Sequence, residues 1–394
     1  VCVAPMSFLE TLAPHYKSRD QWKQKAWERL HLKGFPNRKW GAFQYVPLKA
    51  LYETSFIPLK KATPAIEKKK NTCVFVNGEF RPELSQVEQV ICLPLSEAIR
   101  SYGMLLHKNW VQMLAEETNP FFLLNHALYE EGLFLYVPPQ VQSSIEWLFL
   151  TVGDSTIHMP KMEVHLGKGA VLNIQSHHRG EGSYWHNESL SMSLDEGARL
   201  FLEEKISHSA EAFGFHSKRL KLKRDAKFEC LVLSKGAKVE RHDSAAVLKG
   251  ENGEVDLKGL SLLSEKREMH HHLFVKHEAP HTRSNQHYKT VLSDRARSSF
   301  EGKIYVEKEA QKTEAYQLNN NLLLSPKAQA MSKPNLEIMA DDVKASHGAT
   351  CTQPKADEMF YLRTRGLSEK EAKRHLVKGF CRELMNDEVI DASF

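Results

Sequence analysis

At 394 residues the chain can bury a sizeable apolar core in about two or three domains without covalent staples, and 41% hydrophobic with 26% charged residues is the composition of a folded globular protein. The balance of 54 basic against 49 acidic residues leaves +5, too small an excess on a chain this long to point to nucleic acid. Six scattered cysteines (Cys2, Cys73, Cys92, Cys230, Cys351 and Cys381) include no Cys-x-x-Cys pair, which argues against a disulfide framework and a self-contained zinc or cluster site and favours a reducing compartment.

In chain order, Val1 to Leu9 lacks the basic start and long apolar middle of a signal peptide, and no run approaches the ~18 apolar residues that cross a bilayer, so a cytoplasmic protein without a membrane partner is expected. Residues 1–130 read as mixed and mainly helical. Ser18 to Leu32 carries Trp22, Ala26 and Leu30 with Lys25, Glu28 and Arg29 between them, an amphipathic helix that stops at Gly34 and Pro36. The run from Pro58 to Lys70, with Lys60, Lys61, Lys68, Lys69 and Lys70, reads as a solvated loop. A second helical region spans Leu95 to Leu128, where Ile99, Tyr102, Leu106, Trp110, Met113 and Leu114 recur at three- and four-residue steps as a core stripe.

Residues 131–352 change to short β-rich runs that share a frame. Leu166-Gly-Lys-Gly169-Ala170, Leu194-Asp-Glu-Gly197-Ala198 and Leu222-Lys-Arg-Asp225-Ala226 each lead into a strand, and the steps from 169 to 197 and from 197 to 225 are both 28 residues. The same step reaches Gly253, passes a poorer match at His281 and arrives at Glu309-Ala310. A period of this length predicts a solenoid in which each copy buries its apolar side against the next, and short strands without helices between them make it a β-solenoid. A β-sandwich, the runner-up, has no such long-range frame.

Residues 353–394 return to helix. Ala356 to Arg365 ends at Gly366, and Ser368-Glu-Lys-Glu371 is a capping box opening a helix with Ala372, Leu376, Phe380 and Leu384 at steps of four. That stripe either caps the open end of the solenoid or offers a docking face.

Two stretches carry candidate chemistry. In Met269-His270-His271-His272 with His277 and His281, strand alternation points His270 and His272 one way and His271 the other, so only two ligands converge, fewer than a metal needs, and polar packing between rungs is expected. From Pro334 to Gln353, Leu336 and Ile338 share one face of a strand, Asp341 and Asp342 follow, and His347-Gly348 reads as a turn that lets the imidazole face a partner or a metal. Asp341 and Asp342 as acid and base of a carbohydrate-active enzyme is a remote alternative, because adjacent strand residues point to opposite faces.

The words Leu336-Glu-Ile-x-Ala-Asp-Asp-Val-Lys-x-Ser-His-Gly-Ala-Thr350, Phe360-Tyr-Leu-Arg-Thr-Arg-Gly366, Ser284-x-Gln-x-Tyr-Lys289 and Asn321-Leu-Leu-Leu-Ser325 resemble the SufB/SufD family, which builds iron–sulfur clusters; the similarity runs through residues 277–366. Met339 stands where SufB-like chains carry a thiol, and no cysteine falls between Cys230 and Cys351, so the chain resembles the SufD side of the family. It departs from the family in His270, where Asp is common, and in Ala345, where many SufD-like chains have Cys. The resemblance implies a right-handed parallel β-helix flanked by an N-terminal helical region and C-terminal helices. It implies a non-catalytic subunit that pairs with SufB and contributes His347 to a transient iron or cluster site shared with SufB, with Cys351 and His277 as further candidates. The C-terminal helices would dock the SufC ATPase through Phe360, Tyr361, Arg363, Arg365, Leu376 and Phe380. No Gly-x-x-x-x-Gly-Lys-Ser/Thr loop occurs in the sequence, so ATP hydrolysis is expected of the partner. No cofactor is expected in the isolated chain, whose self-association is left open. A purely architectural subunit without a metal ligand is the alternative within the same family.

Overall fold

Seven residues with left-handed backbone mark the coils. Gln140, Gly169, Gly197, Asp225, Asn252, His281 and Lys312 have φ between 55° and 68°, a conformation that costs a side-chain-bearing residue about 1–2 kcal/mol. Each of the first six donates its N–H to the carbonyl of the residue just before its counterpart in the next coil: Gly169 to Glu196 at 2.8 Å, Gly197 to Arg224 at 2.9 Å and His281 to Gln311 at 2.9 Å. The turns are thereby laced into a ladder along one edge. The steps vary from 27 residues (225 to 252) to 31 (281 to 312), so the turn position falls on Asn252 and Lys312 rather than on Gly253 and Glu309. His281, a poor match by sequence, is a full member.

The structure is a computed structural model that describes residues 5–16, 20–37, 39–58 and 67–385. Cys2, Lys60, Lys61 and the end of the C-terminal region, 386–394, lie outside the described residues, as do the first four of the residues read for a signal peptide, 1–4. Lys68, Lys69 and Lys70 are exposed.

The N-terminal part contains helices α1 (Pro5–Leu12), α2 (Gln21–Lys33), α3 (Lys49–Tyr52), α4 (Leu95–Ser101), α5 (Gly103–Glu116) and α6 (Pro120–Leu128), interleaved with strands β1 (Ile57–Pro58), β2 (Thr72–Val76), β3 (Glu79–Phe80) and β4 (Ile91–Pro94). The Asp20 carboxylate accepts the N–H groups of Trp22 and Lys23 at the start of α2, and Gly34, at φ 70°, ends it. The second helical stretch is three helices rather than one. It breaks at Tyr102 and again at Asn119-Pro120, where Asn119 caps the N–H of Phe121 and proline takes the first helical position.

The solenoid follows as β5 (Leu133–Val137), β6 (Gln142–His158), β7 (Lys161–Leu166), β8 (Val171–Leu194), β9 (Arg199–Ser207), β10 (Phe213–Leu222), β11 (Lys227–Ser234), β12 (Val239–Leu248), β13 (Glu254–Leu263), β14 (Glu268–His277), β15 (Arg283–Leu292), β16 (Arg297–Val306), β17 (Glu314–Leu323), β18 (Gln329–Ile338) and β19 (Lys344–Thr352). It makes about eight coils. One parallel stack runs β6, β8, β9, β11, β13, β15, β17, β19; the other runs β7, β8, β10, β12, β14, β16, β18. β8 is long enough to serve both. The N-terminal region joins the first coils through β2 on β6 and β4 on β5.

Alternate residues fill the lumen, with Leu172, Leu200, Phe228 and Val255 in register from β8 to β13. The opposite parity of β8, β10 and β12 presents Trp185, Phe213, Phe215 and Val239 outward, where Phe121 of α6 and other N-terminal side chains cover them. α7 (Ala356–Thr364) and α8 (Glu369–Cys381) close the chain. The capping box is present at Ser368 and Glu371. The buried face of α8, however, is Ala372, Val377 and Cys381, continued by Leu384 and Met385, and it packs on outward residues Leu260, Val291 and Leu322. α8 therefore lies along the flank of the solenoid rather than over its end. No helix among the described residues is long and apolar enough to cross a membrane.

Candidate functional site

β17 alternates buried Ala315, Gln317, Asn319 and Asn321 with more exposed neighbours, and its parallel register pairs these four with Ala345, His347, Ala349 and Cys351 of β19. Paired residues of adjacent strands point to the same face, so His347 continues a lumen-facing column through Leu257, Gln286 and Gln317. Gln317 donates to Gln286 Oε1 at 3.1 Å, and its own Oε1 has no partner among the described residues. His347 is exposed because, among the described residues, β19 has a partner strand, β17, on one edge only. His347 and Gly348 lie within that strand, not on the turn read from the sequence; exposure comes from being the last rung.

Cys351 is exposed on the same face, and partial burial raises its thiol pKa. Four residues at the strand rise separate it from His347 by about 13 Å, too far to share one ion. His277 is sealed in the lumen, with Nδ1 2.7 Å from Thr282 Oγ1 and Nε2 2.9 Å from Ser284 Oγ, and burial pulls its pKa down to about 4. Both of its nitrogens are committed to hydroxyls. Asp341 and Asp342 sit in the turn between β18 and β19, not on a strand, where Asp342 accepts Lys312 N–H and donates to Gln311 Oε1. Leu336 and Ile338 face the lumen together, opposite Ile304 and Val306, and Met339 follows, exposed.

The six residues assigned to ATPase docking fall on two different surfaces. Phe360 and Tyr361 on α7 are 71% and 57% exposed, with Arg363 and Arg365 exposed beside them and the Arg365 guanidinium 5.2 Å from the Tyr361 ring. Leu376 and Phe380 on α8 are half-buried. Phe380 packs against the flank cluster, its carbonyl accepts Lys289 Nζ at 2.7 Å, and the same ammonium stands over its ring.

Sequence reasoning missed a column of imidazoles inside the coil. Glu188, His216, His242, His271 and Phe300 are in register from β8 through β10, β12 and β14 to β16. The rings of His216 and His242 stack at 4.7 Å and 9°, which is the spacing of neighbouring strands. His271 then leads to Tyr288 and Phe300, and His178 at the other end stacks on Phe149 at 4.2 Å. Burial lowers the pKa of His178, His216, His242 and His271 well below 6.5, so the column is neutral. Of the histidine run read from the sequence, His271 and His277 face inward, while His270 binds Ser299 Oγ at 2.8 Å and His272 meets Asp243 at 3.0 Å. A 28-residue comparison of His and Glu positions would have shown His216 one repeat after Glu188; isolated histidines in β-rich sequence give no other signal.

Fold and terminal coil together define a parallel β-solenoid protein with helical flanks and an uncovered polar end. Residues 149–380 match the family described as SUF system FeS cluster assembly, SufBD core domain, and residues 15–145 match the SufBD protein N-terminal region. The chain belongs to the SufBD family of the SUF iron–sulfur cluster assembly system. It is similar to an iron–sulfur cluster assembly SufBD family protein of Synechocystis, 28% identical over 393 residues covering 92% of this chain and 86% of that one. It is similar to iron–sulfur cluster assembly protein SufD of Escherichia coli, 26% identical over 387 residues, 93% and 88% of the two chains. A SufBD family protein of Pyrococcus horikoshii is 28% identical over 315 residues, 76% and 68% of the two chains.

Proposed function

We propose that this chain is a non-catalytic, SufD-like subunit of a cytoplasmic cluster-assembly complex, which pairs end-on with a SufB subunit and lends His347 to a transient iron or cluster site at the junction. The observation that supports this reading is the exposed, lumen-facing imidazole on a strand that, among the described residues, is paired on one edge only. β19 offers free backbone donors and acceptors that a second sheet can extend, and unpaired edges of this kind are templates for strand addition. Thiolates from the partner would hold iron and sulfide, while the imidazole supplies a borderline nitrogen donor. Iron is the cargo here, not a resident cofactor. The C-terminal helices, led by Phe360 and Tyr361, would hold the SufC ATPase.

His347→Ala is the test. The complex is expected to assemble with unchanged partner stoichiometry and to carry less than about a tenth of the wild-type iron and acid-labile sulfide. Wild-type iron content in the mutant complex would overturn the ligand role and leave the purely architectural reading, to which Ala345 in place of a thiol lends its one argument.

A further inference from the structure

We infer that the lumen holds a second metal site, remote from the terminal coil, in which His178, His186, Glu188 and His216 bind one first-row divalent cation of the zinc or ferrous class. β8 crosses from one stack to the other at Gly180 to Gly182, the latter at φ 91°, and so brings His178 close to His186, edge-on at 5.6 Å between ring centroids, and to Glu188 of the same strand. β10 adds His216 in register with Glu188. One donor atom from each of the four lies within 4.8 Å of all the others, and all four residues are buried.

The geometry fits four-coordination. Glu188 Oε2 is 3.2 Å from His186 Nε2, 3.3 Å from His216 Nδ1 and 3.7 Å from His178 Nδ1, and ligands at about 2.0–2.1 Å from a tetrahedral ion are about 3.3 Å apart. The last contact is too long for a hydrogen bond, and His178 Nδ1 has no other partner among the described residues. Two of the three remaining ring nitrogens are held from behind, as in metal-bound histidines, and His186 Nδ1 has no partner among the described residues. His178 Nε2 lies 3.0 Å from Ser176 Oγ. His216 Nε2 lies 3.0 Å from His208 Nε2, and His208 Nδ1 is anchored 2.9 Å from the Tyr184 hydroxyl. Gly214 makes room for that support, because a Cβ there would meet the His208 ring at 2.6 Å.

Charge points the same way. Among the described residues, the ion-pair partners of Glu188 are three imidazoles. The nearby ammonium of Lys218 is taken by Glu204 at 2.7 Å. A buried carboxylate is costly unless a cation is in contact with it, and a divalent ion at the centre of this cage offsets that cost. Because all four residues are buried, the ion would be enclosed as the coils close, so that binding is coupled to folding.

The test uses the full chain, unfolded with a chelator and refolded in separate arms with Zn(II), with Fe(II) under anaerobic conditions, with Co(II), or with chelator alone. Retention of about one equivalent after dialysis, a four-coordinate Co(II) visible band, and a higher denaturation midpoint than in the chelator arm are expected. Paired substitution Glu188→Gln and His178→Gln, close in volume, should cut retention about 10-fold or more, whereas His347→Ala should leave it at the wild-type value, separating this site from the one at the terminal coil. Refolded wild-type chain without retained metal and without a cobalt band overturns the proposal. So does retention unchanged by the paired substitution.

Discussion

Lys218 and Glu204 meet inside the coil at 2.7 Å, both nearly free of solvent, with Cys230 Sγ 4.0 Å from the same carboxylate. Removing one partner leaves the other charge in the lumen, so Lys218→Met is expected to cost about 3–5 kcal/mol, read as a drop in the urea midpoint. The double change Lys218→Met and Glu204→Gln should recover most of that loss, and failure to recover it would show that the pair does more than neutralise itself. His347 is the opposite kind of residue. It has register but no cover, so its replacement is expected to leave the midpoint within about 0.5 kcal/mol of wild type.

The two C-terminal helices divide labour that the sequence assigned to one surface. α8 is held to the flank by Val377 and Cys381, and Val377→Ala there is expected to cost about 2 kcal/mol by leaving a cavity. Phe380, half-buried against Lys289, belongs to this attachment, so a charge at that position would unseat the helix and mimic loss of a docking contact. α7 has no buried residue. The cleaner test is therefore Phe360→Asp with Tyr361→Asp, expected to leave the thermal midpoint unchanged and to abolish co-purification of the ATPase. Retained co-purification would assign α7 another role. The stripe Ala372, Leu376, Phe380 and Leu384 was readable as amphipathic, yet which edge of it faces the protein depends on where Leu260, Val291 and Leu322 lie, which only the coil pitch decides.

Over the whole molecule, buried imidazoles set the response to acid. Burial lowers the pKa of His158 and His277 to about 4 and of His208 to about 3, against 6.5 when exposed. The unfolded chain therefore binds more protons than the folded one between those values, and stability rises with pH up to about 6.5 and is level above it. At about 1.4 kcal/mol per unit, each should withdraw roughly 2–3 kcal/mol between pH 7 and pH 4.5. Urea unfolding at the two pH values checks this, and a flat profile would mean that the lumen admits protons while folded. The coil itself was legible because its turns demand residues that tolerate left-handed backbone, and Gly169, Gly197 and Asp225 spell that demand three times in phase. His281 and Lys312 obey it without the residue types that advertise it. The exposure of His347 was legible, though its cause was not, since a His-Gly pair looks the same on a turn and on a final strand. The imidazole column was hidden because its members are 26 to 29 residues apart and become neighbours only after the stacking is known.

The laced turns also make the solenoid a yardstick. Each coil adds one interstrand step of about 4.8 Å to the distance between the helical collar at one end and the imidazole at the other. Excising one complete repeat would keep the stacking pattern of the remaining coils while shortening the reach of the rod by that step, and a partner gripping both the collar and the tip would register the missing length as a mismatch.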